Sequence, residues 1–227
     1  MGLIVYGHWG PPLLWFPTSG GDESEAEQHG IIQALEAFID PGRVKLYAIG
    51  SANAESFYNK QARPTHRSYV QARFDDYIRH EVMPFVEDDC QTPGMPMTTA
   101  GASFGAYHAA NTLFKHPAIV RRCFALSGLY DLRRFMDGEY DDNFYFNNPI
   151  DYVGGLSDPA ILGQLATCDI HIATGTGPWE HSEWAYEFSA VLNARGIRHS
   201  LDDWGAEGGH DWPFWKNQMR TYLGRFF

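Results

Sequence analysis

Met97-Thr-Thr-Ala-Gly-Ala-Ser-Phe-Gly-Ala-Tyr-His-Ala-Ala-Asn-Thr-Leu-Phe114 is the stretch around which the chain is organised. Its centre, Gly101-Ala102-Ser103-Phe104-Gly105, is a G-x-S-x-G pentapeptide. The threonine-rich run before it reads as a strand. After it, Ala106, Ala109, Ala110 and Leu113 recur at helical spacing. A strand, a sharp turn carrying serine and a helix make a nucleophile elbow. The geometry dictates the residue types. Side chains two positions either side of the serine would strike the neighbouring strand and helix, so Gly101 and Gly105 are needed there. Small alanines let the helix lie close to the sheet. Its N-terminal N–H groups then face the point where negative charge develops.

Reading outward from the elbow, strands and helices alternate. Leu3–Tyr6 and Leu13–Phe16 are apolar runs separated by Gly10-Pro11-Pro12, which predicts a two-strand hairpin. A small-residue loop, Pro17 to Asp22, follows. Ile31, Leu35, Phe38 and Ile39 mark a helix that Pro41-Gly42 ends, and Val44–Ile49 is the next strand. A long helix carries Tyr69, Ala72, Tyr77, Ile78, Val82 and Phe85, with Pro84 in its last turn and Glu87-Asp88-Asp89 as a solvated loop. Val120–Leu126 is a strand closing at Ser127. Residues 131–166 break the rhythm with turn dipeptides and interspersed aromatics, and read as an insertion placed to act as a lid or pocket wall. Ile170–Ala173, a helix from Ser182 to Gly196, a strand Ile197–Trp204 and a last helix after His210-Asp211-Trp212-Pro213 complete the chain. The expectation is an α/β fold, mostly parallel, in one domain over residues 1–227 with 131–166 as a cap-like insertion.

Composition narrows the function. The net charge of −11 and the absence of a Lys/Arg cluster argue against nucleic acid. No run reaches membrane-spanning length, and no basic region followed by an apolar stretch opens the chain. The three cysteines, Cys90, Cys123 and Cys168, are widely spaced and contain no C-x-x-C, which points to a reducing compartment; with no leader-like or membrane-spanning stretch, the expectation is a cytoplasmic protein. Gly175-Thr-Gly-Pro-Trp-Glu180 begins like a dinucleotide fingerprint but carries Glu180 where the third glycine belongs, so nucleotide binding is rejected.

A serine hydroxyl needs a base, and the base needs an orienting carboxylate. Around such an elbow the chain order is Ser, acid, His. Of ten histidines, His210 stands in a loop past the last strand, behind Gly208-Gly209, which would give the loop freedom to place it. Glu180 follows the strand after the insertion and is the favoured acid, with Glu183 second; Asp202 and Asp203 lie on the last strand. Coordinates should bring a Glu180 oxygen about 2.6–3.2 Å from one ring nitrogen of His210, the other facing Ser103. The oxyanion donors expected are the amides of Phe104 and Ser19.

With these residues in place, the chain resembles the esterase D and antigen 85 group of α/β-hydrolases. The matching pieces are Gly101–Gly105, Phe124-Ala-Leu-Ser-Gly128, Gly175–Glu180 and Gly209-His-Asp-Trp212, supported by Ser56-Phe57-Tyr58 and Glu81-Val-Met-Pro84. The resemblance implies an α/β-hydrolase fold and a Ser–acid–His enzyme acting on a small-molecule carboxylic ester or thioester. It implies no metal and no organic cofactor, and it fixes neither substrate nor oligomeric state. Members of the group carry His-Gly in the first oxyanion loop, where this chain has Pro17-Thr18. Two other readings accompany it: acyl transfer to an alcohol acceptor, and a non-catalytic α/β-hydrolase-fold binding protein.

Overall fold

The computed structural model describes residues 1–227. The chain runs β1 (Leu3–Tyr6), β2 (Pro12–Phe16), α1 (Glu25–Gln28), α2 (Ile31–Ile39), β3 (Lys45–Ile49), α3 (Pro64–Tyr77), a π-helical turn (Ile78–Val82) and α4 (Met83–Asp89). It continues with β4 (Met97–Ala102), α5 (Phe104–Lys115), β5 (Val120–Leu126), α6 (Asp142–Tyr145), α7 (Pro149–Tyr152) and α8 (Pro159–Leu165). β6 (Asp169–Thr174), α9 (Ser182–Ala194), β7 (Ser200–Asp203) and α10 (Trp212–Phe226) complete it. Seven strands form one sheet in the order β1-β3-β2-β4-β5-β6-β7. Every pairing is parallel except β1 with β3. This is the expected α/β-hydrolase sheet, with α6–α8 in the insertion after β5.

Period-two alternation distributes the core over both faces. Leu14, Phe16, Tyr47 and Ile49 point to the side covered by α3, α4, α5 and α9. Leu13, Trp15, Leu46 and Ala48 point to the side covered by α2 and α10. A third, smaller cluster lies at the N-terminal end of α5, where Phe104 and Tyr107 pack with Phe57 and with Leu129, Leu132, Met136 and Phe144. No helix is long and apolar enough to cross a membrane.

Two expectations are corrected. The early strands do not form a hairpin: β1 is the antiparallel edge strand and β3 lies between it and β2. β2 is buried throughout, as a strand with parallel neighbours on both sides must be, whereas β1 is half exposed. Gly10, at φ 113°, carries the connection against the backbone of 42–44, where a Cβ would stand 2.7 Å from the Gly42 carbonyl. The long helix, secondly, does not stop at Pro84. The π-helical turn widens the backbone at His80, the residue whose carbonyl the proline ring would otherwise strike, and the helix continues to Asp89. Asp89 is therefore not in a solvated loop. It receives the Tyr47 hydroxyl at 2.7 Å and pairs with Lys45 at 2.6 Å.

Candidate active site

Ser103 sits between β4 and α5 at φ 56°, ψ −119°, a conformation an L-residue holds only under constraint. The constraint is close backbone packing. A Cβ on Gly105 would lie 2.7 Å from the Pro17 carbonyl oxygen and closer still to that of Phe16. A Cβ on Gly101 would lie 2.9 Å from the Phe16 oxygen and closer still to the Gly105 carbonyl. Both glycines are needed, as the sequence indicates. The same contacts bring the end of β2 against the start of α5, so the loop carrying Ser19 borders the elbow. As the first residue of α5, Phe104 has no intrahelical acceptor for its N–H. The Ser19 amide has none in the protein either.

His210 Nε2 stands 2.9 Å from Ser103 Oγ. Its ring meets Trp215 edge-on at 5.2 Å. Two loops hold it: the His210 N–H donates to the Pro178 carbonyl at 2.9 Å, Gly177 N–H to Gly208 O at 2.9 Å, and Thr176 N–H to Gly205 O at 2.7 Å. The glycines here serve close approach. A Cβ on Gly177 would lie 3.0 Å from the Gly208 oxygen, and one on Gly208 2.7 Å from the Thr174 oxygen. Neither Gly208 nor Gly209 has a positive φ. The expected freedom of the Gly208-Gly209 pair is thus replaced by a tight backbone seam.

Glu180 lies across this seam. Its side chain is 2 % exposed, and its Oε2 stands 3.9 Å from His210 Nδ1. That is longer than the expected hydrogen bond. The other oxygen, Oε1, accepts the Thr174 hydroxyl at 3.0 Å, which sets the carboxylate slightly back. Oε2 and Nδ1 are both buried and neither has a partner within hydrogen-bond distance, which leaves each open to the other. Burial raises the Glu180 pKa, an effect opposed by the Ser127 and Thr174 hydroxyls. Burial, then the nearby His181, lowers that of His210.

The other acids face elsewhere. Glu183 is 66 % exposed and bonds His181 at 3.0 Å. Asp202 takes His171 at 3.1 Å and the Tyr222 hydroxyl at 2.7 Å, and Asp203 takes Tyr186. The remaining buried histidines are occupied as well: His108 faces Asn53 at 2.7 Å, and burial pushes its pKa down to about 3. All three cysteines are free and buried, with the Cys123 thiol raised to about 12 by burial. No cluster of three His, Cys, Asp or Glu side chains is arranged to hold a metal.

The site's surroundings are aromatic. Tyr58 packs on Phe104 at 5.1 Å and on Phe135 at 5.2 Å between ring centres. Arg134 lies over the rings of Phe135 and Trp184. The first part of the insertion is fastened down. The buried Arg67 donates to the Phe135 carbonyl at 2.8 Å and to Asp137, and Ser68 donates to Asp141. The sequence gives no sign of a site role for Thr174 or Arg67, and Trp215 reads there only as part of the apolar face of the last helix. Thr174 and Arg67 gain their places from tertiary contacts with other segments.

The family model described as "Putative esterase" matches residues 16–226. No curated protein matches the chain significantly. Among solved structures, an S-formylglutathione hydrolase from Agrobacterium tumefaciens superposes with a TM-score of 0.68 at 11 % identity, over 99 % of this chain and 90 % of the other. An S-formylglutathione hydrolase from Staphylococcus aureus gives 0.63 at 15 %, over 96 % and 81 %. MPT51 from Mycobacterium tuberculosis gives 0.63 at 15 %, over 98 % and 91 %. At these identities the structural likeness concerns the fold.

Proposed function

Because the chain belongs to the "Putative esterase" family and is a carboxylesterase-type hydrolase, we propose that it cleaves a small-molecule ester through an acyl-enzyme on Ser103, with His210 as base and Glu180 as its orienting acid. The 2.9 Å approach of His210 Nε2 to a serine held in a strained elbow carries this reading. With Nδ1 protonated toward Glu180, Nε2 is left as the acceptor of the Ser103 proton. As Ser103 Oγ bonds to the acyl carbon, its proton passes to Nε2 and the carbonyl oxygen becomes an oxyanion. The amides of Phe104 and Ser19 receive that charge. Collapse expels the alcohol, which takes the proton from His210. Water then repeats the sequence on the acyl-enzyme and releases the acid.

The lowered pKa of His210 keeps it neutral, and so able to accept a proton, at neutral pH. The glutamate carboxylate stabilises the imidazolium formed in each step. The chain acts as one α/β-hydrolase unit, and the first part of the 131–166 insertion serves as a wall of the substrate site, anchored through Arg67 rather than hinged. The thioester chemistry named for the two S-formylglutathione hydrolases is compatible with the same steps, since a thiolate leaves more readily than an alkoxide.

Hydrolysis of p-nitrophenyl acetate tests the proposal. Ser103→Ala and His210→Ala should each lower kcat by roughly 10⁴-fold, and the double variant should be little worse, because the two act as one unit. Losses that multiply in the double variant would separate the two residues mechanistically and overturn the proposal.

A further inference from the structure

We propose that Glu25 and Asn53 are positioning residues for the oxyanion site: they clamp Thr18 from both sides so that the neighbouring Ser19 N–H stays aimed as a donor. This rests on the reading of Ser103 as nucleophile. The loop Pro17–Gly21 has no regular structure to hold it, and Thr18 stands where the resembling group carries glycine. Its polar groups are nonetheless almost all tied. The Thr18 N–H donates to Glu25 Oε2 at 2.7 Å and its hydroxyl to Oε1 at 2.6 Å. The Thr18 carbonyl accepts the Asn53 amide at 3.2 Å and the Gly21 N–H at 3.2 Å. The Gly21 carbonyl accepts the Ser51 hydroxyl at 3.0 Å.

Glu25 is 7 % exposed and meets no lysine, arginine or histidine within ion-pair distance. Its charge is spent on this loop, through charge-assisted bonds roughly twice as strong as neutral ones. Gly21 leaves the space for it, since a Cβ there would collide with the Glu25 carboxylate. On the opposite side, Asn53 Oδ1 faces His108 Nε2 at 2.7 Å. A carboxamide oxygen can only accept, so His108 carries its proton on Nε2 and donates. His108 is one turn along α5 from Phe104. The chain His108–Asn53–Thr18 therefore refers the loop to the same helix that presents the Phe104 N–H. Both proposed donors share one rigid frame, and the Ser19 N–H, flanked by fixed groups and without a protein acceptor, is left free to donate. Preorganisation of this kind is what lets a donor stabilise charge without reorganising during the reaction.

Three variants test the clamp: Glu25→Gln, which keeps the shape but removes the charge that strengthens both bonds; Asn53→Ala; and Thr18→Val, which removes only the hydroxyl bond. Each is assayed for p-nitrophenyl acetate hydrolysis and for inhibition by an aryl trifluoromethyl ketone, which adds Ser103 oxygen to its carbonyl and leaves an alkoxide in the oxyanion site. Glu25→Gln and Asn53→Ala should lower kcat about 10-fold or more, with KM within twofold, and raise the inhibitor Ki by a matching factor. Thr18→Val should give a smaller loss of the same kind. A role in folding alone would lower the melting temperature while leaving kcat and Ki of the folded protein unchanged, and that outcome overturns the clamp. Should Glu25→Gln not fold, the other two variants decide by the same criterion. A wild-type protein that forms no adduct with a fluorophosphonate refutes the Ser103 reading instead, before any variant is compared.

Discussion

Replacing Gly105 with alanine perturbs the elbow without touching any group that takes part in chemistry. The added Cβ would stand 2.7 Å from the Pro17 carbonyl oxygen and closer to that of Phe16, where real Cβ atoms keep at least 3.0 Å. Both obstacles are backbone, so no side-chain rotation relieves the clash. Either α5 or the end of β2 must retreat by roughly half an ångström, on a scale where about 1 Å of misplacement costs a reaction roughly 10²-fold. The shift separates Ser103 and the Phe104 N–H from the loop that bears Ser19. We expect kcat for p-nitrophenyl acetate to fall about 10- to 100-fold, and stability to fall by about 1–3 kcal/mol as for other overpacked sites. Near-ultraviolet circular dichroism checks that the protein remains folded. Gly163→Ala is the control: it lies on the exposed face of α8 with nothing within 4 Å, and should stabilise the protein by about 0.5–1 kcal/mol without changing kcat. A folded Gly105→Ala protein with kcat within twofold of wild type would refute the argument that the glycines set the site's geometry.

Glu180→Gln should lower kcat far more than Glu183→Gln in the same ester assay, because only the first removes a buried charge facing His210 Nδ1. A larger effect at Glu183 would move the acid's role to that residue. The pH profile of kcat/KM should rise with deprotonation of His210, with a midpoint below the ordinary histidine value of about 6.5. His181→Gln should move that midpoint upward, since the nearby His181 is one of the causes that lower it. Stability should also depend on pH through His108, whose folded pKa of about 3 lies below its unfolded value of about 6.5. Between those values the unfolded chain binds more protons, so stability is retained above the window and lost as pH falls through it. Urea unfolding at pH 4.5 should show a loss on the order of 2–3 kcal/mol from this residue relative to pH 7.5, and His108→Gln should flatten the slope.

What the sequence makes legible is local. Gly101 and Gly105 flanking Ser103, the helical spacing of alanines and the alternation of strands with helices are each written within a short window, and the sheet, the elbow and α5 follow from them. His210 and Glu180 are found through chain order, because a parallel sheet brings successive strand ends to one edge. Strand order is less accessible. Gly10-Pro11-Pro12 has the composition of a hairpin turn, and only the pairing of β3 with both β1 and β2 shows it lying between them. Pro84 reads as a helix stop because the neighbouring π-helical turn, which accommodates it, has no signature in residue type. Gly208-Gly209 reads as flexible for a similar reason: the glycine requirement comes from Thr174, Gly175 and Phe214 across the seam. Glu25, in a short acidic segment, looks like ordinary surface charge until Thr18 is seen against it.

Ser103 as the acyl-accepting nucleophile is the claim on which the rest depends. Intact-mass spectrometry after treatment with a fluorophosphonate, followed by peptide mapping, tests it most directly. One phosphonyl group should be added per chain, on the peptide carrying Ser103, and Ser103→Ala should abolish it. Labelling that persists in Ser103→Ala, or a folded, ester-hydrolysing wild-type protein that takes up no label, would contradict the account.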